Sequence, residues 1–263
     1  MQSAMAQSNT DDSGATLGTA PSGPMDLSDT WKYSAGFGVA SHSKYPGSSQ
    51  TRTLAAPMFS ARYGRYFIGA VPEAGVPAGA GAYLLQNEHW RAGVGLGFNL
   101  QKPRKESDSV TLRGLGDIQG TTLGAAFASY DDKWFRINTN VVTDIGGKNQ
   151  GTRLSMNIDG KYSPTDRLTL TAGPGFTWAD SKYNQTFFGI NAAQSTQSGR
   201  TQYTLGSGIN TVRFGVGANY RLTSQWSVGA RLTAENLRGD AAGSPLTEKK
   251  SQNSVGLFTS YQF

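Results

Sequence analysis

Cysteine is absent from the 263 residues, and histidine occurs only twice, at His42 and His89. Two distant imidazoles and no thiol cannot assemble a closed structural zinc site, which draws four ligands from Cys and His. The lack of cysteine also fits a chain exposed to an oxidising compartment such as the periplasm. No run approaches the ~18 consecutive apolar residues of a membrane helix, and the mean hydropathy is −0.42. A helical membrane protein is thereby excluded. A β-barrel is not, because only alternate residues of its strands need be apolar. Acidic residues are fewer than basic ones, 18 against 24, for a net charge of +6. The cations are scattered along the sequence, whereas a nucleic-acid surface needs a basic stripe, so nucleic acid is not expected as a partner.

Glycine is in excess, 34 of 263 residues, nearly twice its usual ~7% share. With no collagen-like period, that excess suggests crowded strand interiors and turns. The strand pattern is clearest at the C-terminus. Over residues 251–263, Val255, Leu257, Tyr261 and Phe263 share one parity, and Ser254, Gly256, Ser260 and Gln262 the other. A period of two means one face against an apolar phase and one against a polar phase. The terminal aromatic Phe263, with Tyr261 two residues before it, is the expected recognition mark for barrel insertion.

Strict alternation recurs at 91–101, 168–178, 212–222 and 226–234, near the ~9–11 residues a tilted strand needs to cross a bilayer. In each run glycines and isolated charges occupy the polar face, as suits a narrow lumen filled by side chains. Short turn signals (Asn87-Glu88-His89, Asp131-Asp132-Lys133, Ser163-Pro164-Thr165-Asp166, Thr223-Ser224-Gln225) alternate with long connections near 44–50, 71–79, 102–118, 181–204 and 239–250. Strands are expected at 31–43, 51–62, 65–70, 80–87, 90–101, 119–130, 134–145, 151–163, 167–180, 205–222, 226–238 and 251–263. The fold class is all-β: a transmembrane, up-and-down antiparallel barrel of about 12 strands within residues 31–263. Short turns and both termini face the periplasm and longer loops face outward, with membrane lipid around the wall. Pro57 and Pro72 disturb the early strands, and 66–88 can also be read as one bent strand. Aromatics near strand ends, such as Trp31, Trp90, Trp134, Trp178 and Trp226, suit interfacial girdles. Residues 1–30 have no periodicity and a Ser/Thr/Gly/Asp/Ala composition expected of a disordered segment. Ala4-Met5-Ala6 has the form of a signal-peptidase site and reads as the remnant of an export signal.

The barrel reading places a set of charges in the lumen: Arg91, Arg136, Arg213, Arg221 and Arg231 with Asp144, Asp159, Lys161 and Glu235. They form either a cross-barrel network holding a closed barrel together, through the fixed fork of Arg on carboxylate, or the lining of a small aqueous pore. Catalysis is not expected. His42 is flanked by Ser41 and Ser43, and adjacent strand residues point to opposite faces, so no nucleophile–base pair forms there. Carboxylates in the outer loops, Asp117, Asp180 and Asp240, are the remaining candidates for acid–base chemistry; beside Gly239, Asp240 reads better as a loop or helix-cap residue. The Gly-x-Gly-x-Gly at 93–97 lies inside an alternating strand and opens no helix, so it is not a dinucleotide loop. No cofactor or metal is expected.

Several loop segments resemble the MipA/OmpV family of Gram-negative outer-membrane proteins: Tyr45-Pro46-Gly47-Ser48, Leu112-Arg113-Gly114-Leu115-Gly116-Asp117-Ile118, Tyr183 with Phe187-Phe188-Gly189-Ile190, and Gly239-Asp240-Ala241-Ala242-Gly243-Ser244-Pro245-Leu246. The last is the most specific, standing just before the closing strand. The resemblance covers about 31–263. It implies a scaffold rather than a catalyst, in a complex of a lytic transglycosylase and a murein synthase that couples peptidoglycan cleavage to synthesis. It carries over no binding residues.

Overall fold

The computed structural model describes residues 30–99 and 102–263. The expectations for residues 1–29, the export-signal remnant included, lie outside the described residues. Twelve strands form one closed barrel in which every strand pairs antiparallel with its sequence neighbours, and β1 (Trp31–Ser43) pairs with β12 (Ser251–Gln262). The others are β2 (Thr51–Tyr63), β3 (Tyr66–Val71), β4 (Val76–Gln86), β5 (Trp90–Phe98), β6 (Thr122–Asp131), β7 (Phe135–Asp144), β8 (Thr152–Thr165), β9 (Leu168–Ala179), β10 (Gly208–Arg221) and β11 (Trp226–Leu237). Closure leaves no strand without two neighbours, the condition for a sheet in lipid. Residues 66–88 are two strands, not one bent one.

The expected outer loop at 71–79 is corrected. It is a tight 3-10 turn, Pro72–Ala74, and it folds inward, burying Glu73 and Ala74. Gly75 has φ +67°, and a Cβ there would meet the Asn140 amide at 2.5 Å. Only glycine combines that left-handed backbone with so close an approach. The turn was illegible because Val76-Pro77-Ala78-Gly79-Ala80-Gly81 alternates among small residues, so the period has almost no amplitude.

One side of the lumen carries a large apolar cluster. Phe67, Ala74, Val76, Tyr83, Leu123, Ala125, Phe127 and Val142 form a buried apolar cluster on β3–β7 and the inward turn. The 93–97 glycines are part of its seat. A Cβ on Gly93 would lie 2.7 Å from Phe127 Cζ, and one on Gly81 2.4 Å from Phe67 Cζ. The ring edges fill the space that the glycines leave over bare backbone, and Phe67, Tyr83 and Phe127 pack at steep angles with centroids 5.1–6.1 Å apart. Phe258, on the inward parity of β12, sits the same way over Gly229.

Outward, Val94, Leu96, Phe98, Phe214, Leu232 and Leu257 are exposed together, an apolar belt far beyond the patches of a water-borne monomer. Aromatics crowd the short-turn rim, where Trp31 stacks on Tyr33 at 5.8 Å and Tyr261 bridges Trp226 at 5.0 Å and Phe263 at 4.8 Å. Phe263 is 72% exposed and its N–H donates to the Tyr33 carbonyl at 3.1 Å. The wall has one weak joint. β1 and β2 share thirteen register pairs, but β2 and β3 share four, from Ser60↔Gly69 to Tyr63↔Tyr66. Residues 51–59 of β2 therefore carry an edge without a β3 partner, which is why Pro57 is tolerated inside this strand: proline removes a ladder donor and is confined to such edges.

Candidate functional site: an interlocked cap above a charged lumen

At the long-loop rim the connections are built into one body. α1 (Ser181–Phe188) is capped by Asp180, whose carboxylate accepts from the Tyr183 N–H at 2.7 Å. α2 (Ala192–Ser198) has a capping box of Asn191 and Gln194 and ends on left-handed Gly199. α3 (Gly239–Gly243) follows β11. Tyr45, Leu112, Leu115, Ile190 and Leu246, from four different loops, pack into one buried cluster. A second joins Ile118, Tyr183, Phe187, Phe188, Leu205 and Ala241. Gly114, with φ +79°, lets the 112–118 segment approach α2 so closely that a Cβ would sit 2.7 Å from Ser198 Cα.

Polar groups lock the pieces. Gln252 accepts from the Gly47 N–H at 3.1 Å and donates to the Ser48 carbonyl at 3.0 Å. The Ser244 hydroxyl donates to the Phe188 carbonyl at 2.6 Å. Arg104, 1% exposed, donates to the Phe187 carbonyl at 3.0 Å; burial pulls its pKa down to about 10, partly opposed by Tyr45, Asp108 and Asp117. Burial likewise raises the Tyr45 phenol, helped by Glu248. Glu248 itself is pushed up by burial, but hydrogen bonds from the Ser109 and Ser49 hydroxyls and the Ser49 N–H outweigh that, leaving it at about 2. All four segments that carry the family resemblance lie in this cap.

Glu248 makes the cap acid-sensitive with a definite sign. Its folded pKa lies below the ordinary 4.5, so its contribution is complete above pH ~4.5 and is lost as pH falls through about 2. The protection factor of the Ser49 amide, measured by hydrogen exchange, is expected to hold from pH 7 to 4.5 and to fall below it. In Glu248→Gln that pH dependence disappears.

Below the cap, the lumen charges fall into two groups. On β10 and β11, Arg213 Nε contacts Glu235 at 3.2 Å and Arg231 Nη2 contacts Asp159 at 3.2 Å, with Asn157 3.3 Å from Arg213. The Arg231 guanidinium crosses Gly215, where a Cβ would come within 2.6 Å. Near the short-turn rim Asp131 binds Arg136 and Lys161 and lies 3.8 Å from Arg91, which also pairs with Glu73 of the inward turn at 3.4 Å. Arg153 donates to the Gly75 carbonyl at 3.0 Å. Two of the expected members stand elsewhere. Asp144 accepts from the Thr121 hydroxyl and the Gly146 and Gln150 N–H groups, ordering the loop after β7. Exposed Arg221 donates to the Asp166 carbonyl at the short-turn rim. Both have inward parity but sit at strand ends, beyond the stacked rows. Three members were missed: Glu73, Arg153 and Asp131. Asp131 belongs to a turn signal in the sequence, but it ends β6 and continues the inward parity of Phe127 and Ser129.

His42 is buried and its Nδ1 lies 2.8 Å from the Ser43 carbonyl; His89 Nδ1 lies 3.1 Å from the Asp131 carbonyl. Asp117 is held by Lys102 at 2.6 Å and the Glu106 N–H at 2.7 Å, and Asp240 accepts from the Gly206 N–H at 3.4 Å. Each candidate carboxylate is thus engaged in shaping a loop. Among the described residues no group of three or more His, Cys, Asp or Glu could hold a metal ion.

A closed twelve-stranded barrel with a lipid-facing belt, an aromatic rim and a charge-filled interior is an outer-membrane β-barrel protein. The sequence model of the family described as MltA-interacting protein MipA matches residues 35–263, and the chain belongs to that family. It is similar to the MltA-interacting proteins of Escherichia coli (strain K12) and Shigella flexneri, 21% identical over 159 residues, 60% of this chain and 63% of each relative. The match thus spans less than two thirds of the relatives' length. In shape it resembles an outer membrane channel from Pseudomonas putida F1 (14% identity, 95% of this chain and 98% of that one, TM-score 0.46). It also resembles the NanC porin (10% identity, 88% and 99%, TM-score 0.40).

Proposed function

We propose that this protein is a non-enzymatic outer-membrane scaffold for peptidoglycan enzymes, with a lytic transglycosylase as partner and a murein synthase in the same complex. The observation that carries the reading is the seating of the Pro72–Ala74 turn inside the lumen, where Glu73 pairs with Arg91. A buried turn with an ion pair narrows the lumen and ties the wall together, which suits a rigid anchor better than a wide conduit. The relatives' name supplies the partner class. In this reading both termini and the short turns face the periplasm, and the cap faces outward.

The short turns offer little to grip, so residues 1–30 are the proposed handle. Crosslinking in intact envelopes followed by pull-down is expected to recover a lytic transglycosylase with the full chain. Recovery should drop at least tenfold when residues 1–30 are deleted from the mature barrel. Undiminished recovery would refute the handle, and failure of the full chain to capture any murein enzyme would refute the scaffold. The second reading, a narrow channel for small polar solutes, draws on the polar, arginine-lined half of the lumen and is separated by conductance.

A further inference from the structure

The basic residues scattered through the sequence are gathered by the fold. The five connections 44–50, 99–121, 145–151, 180–207 and 238–250 all open from the long-loop rim and hold eleven cations against six acids, a net +5 of the chain's +6. Each of the six acids is engaged by groups of the loops themselves, although Asp117, Asp240 and Glu248 keep exposed surface. Glu106 accepts from the Gly114 N–H, Asp108 from the Lys105 N–H, Asp117 from Lys102, Asp180 from the Tyr183 N–H, Asp240 from the Gly206 N–H, and Glu248 from Ser49 and Ser109. Their charge is met by loop N–H and hydroxyl groups and by Lys102, and the remaining cations, buried Arg104 apart, are left in excess at this rim.

Four of those cations fall together. Lys44 follows the last residue of β1, Arg238 follows the last of β11, and Lys249 and Lys250 precede the first of β12. These three strands are adjacent in barrel order, β1-β12-β11. The Leu237 N–H donates to the Lys250 carbonyl at 2.9 Å, setting Arg238 beside the lysine pair. The Lys249 N–H donates to the Gly47 carbonyl at 2.9 Å, tying that pair to the loop that Lys44 opens. Arg238, Lys249 and Lys250 are exposed, and half-buried Lys44 donates to Gln50 at 2.7 Å. Directly below, the same strands present Phe37, Leu232, Val255 and Leu257 outward, between 39% and 57% exposed. Cations at the root of the loops over an apolar wall match a ligand with acyl chains below and phosphate above.

We infer that the β11–β12–β1 face binds a phosphorylated glycolipid of the membrane's outer leaflet, with Lys44, Arg238, Lys249 and Lys250 holding its phosphates. The inference rests on the outward orientation of the cap, which is tested separately by labelling Ser107→Cys, at an exposed position of the loop after β5, in intact cells. The binding test is independent of orientation. Detergent-purified barrel is titrated with bisphosphorylated lipid A and with its dephosphorylated form, and bound lipid is read by native mass spectrometry. The phosphorylated form is expected to bind at least tenfold more tightly. Lys44→Gln/Arg238→Gln/Lys249→Gln/Lys250→Gln is expected to abolish that preference. A control, Lys133→Gln/Arg167→Gln at the opposite rim, keeps it. Gel mobility before and after heating confirms that each variant is a folded barrel. Equal binding of the two lipids, an unchanged quadruple variant, or an equal loss in the control would each overturn the inference. Lipid binding with a cysteine label that reacts only from the periplasm would sink the orientation and, with it, the assignment of the ligand to the outer leaflet, leaving only an affinity for phosphorylated lipid.

Discussion

Asp131→Asn is expected to cost the folded barrel about 3–5 kcal/mol, the range for stripping one partner from a buried ion cluster. The Asp131 carboxylate is shared by Arg136 and Lys161 and lies 3.8 Å from Arg91, and all four side chains are less than a fifth exposed. Asn fills the same space but leaves three cations facing one another, and the carboxylates beside them are already engaged: Glu73 pairs with Arg91, and Asp159, the register partner of Arg136, pairs with Arg231. Desolvated like charges at such distances cannot relax into solvent without opening the rim. Urea titration of the barrel in lipid vesicles, with tryptophan fluorescence as the signal, measures the loss. Combining Asp131→Asn with Arg136→Met and Lys161→Met should restore most of it, because apolar replacements of a whole ionic cluster are often neutral. A loss under ~1 kcal/mol for the single variant would mean that water screens this cluster as it screens surface pairs.

The unmodified barrel is expected to be silent in a planar bilayer, and opening it should take two cuts, not one. The cap and the inward turn obstruct the same path in series. The cap is held by two apolar clusters and the Gln252, Ser244 and Arg104 tethers. The turn is held by Glu73–Arg91 and by Arg153 on the Gly75 carbonyl. Shortening residues 181–204, or replacing residues 72–75 by Ser-Gly, leaves the other barrier in place. The double variant alone should show steady, salt-dependent single-channel steps. Steady steps from the unmodified barrel would favour the channel reading over the scaffold.

The barrel was legible because lipid imposes one rule on every strand: 212–222 or 226–234 cannot alternate any other way and still cross. Strand number and most boundaries follow from that rule. The interior obeys no such rule. Phe67, Phe127 and Phe258 point inward against the apolar-out pattern, each made possible by a glycine on a neighbouring strand, a pairing visible only once register is known. Glu73 was hidden in a turn whose small residues carry no period. The cap was present in the sequence as disconnected segments, and no periodicity relates Tyr45 to Leu112, Ile190 and Leu246. Their convergence is a property of loops closing over a ring. The basic face was dispersed for the same reason: Lys44 and Lys250 are far apart in the chain and neighbours only because the first and last strands meet.

The joint between β2 and β3 has a mechanical consequence. A closed ring under tension parts where the fewest bonds cross, and here that place is neither the β1–β12 closure, with eight register pairs, nor β1–β2, with thirteen, but the four pairs from Ser60 to Tyr63. Lateral pressure from the bilayer, or a pull on either terminus, should therefore unzip the hoop at this line first. The ribbon that peels back would keep β12, β1 and β2 together, and the cationic face with them.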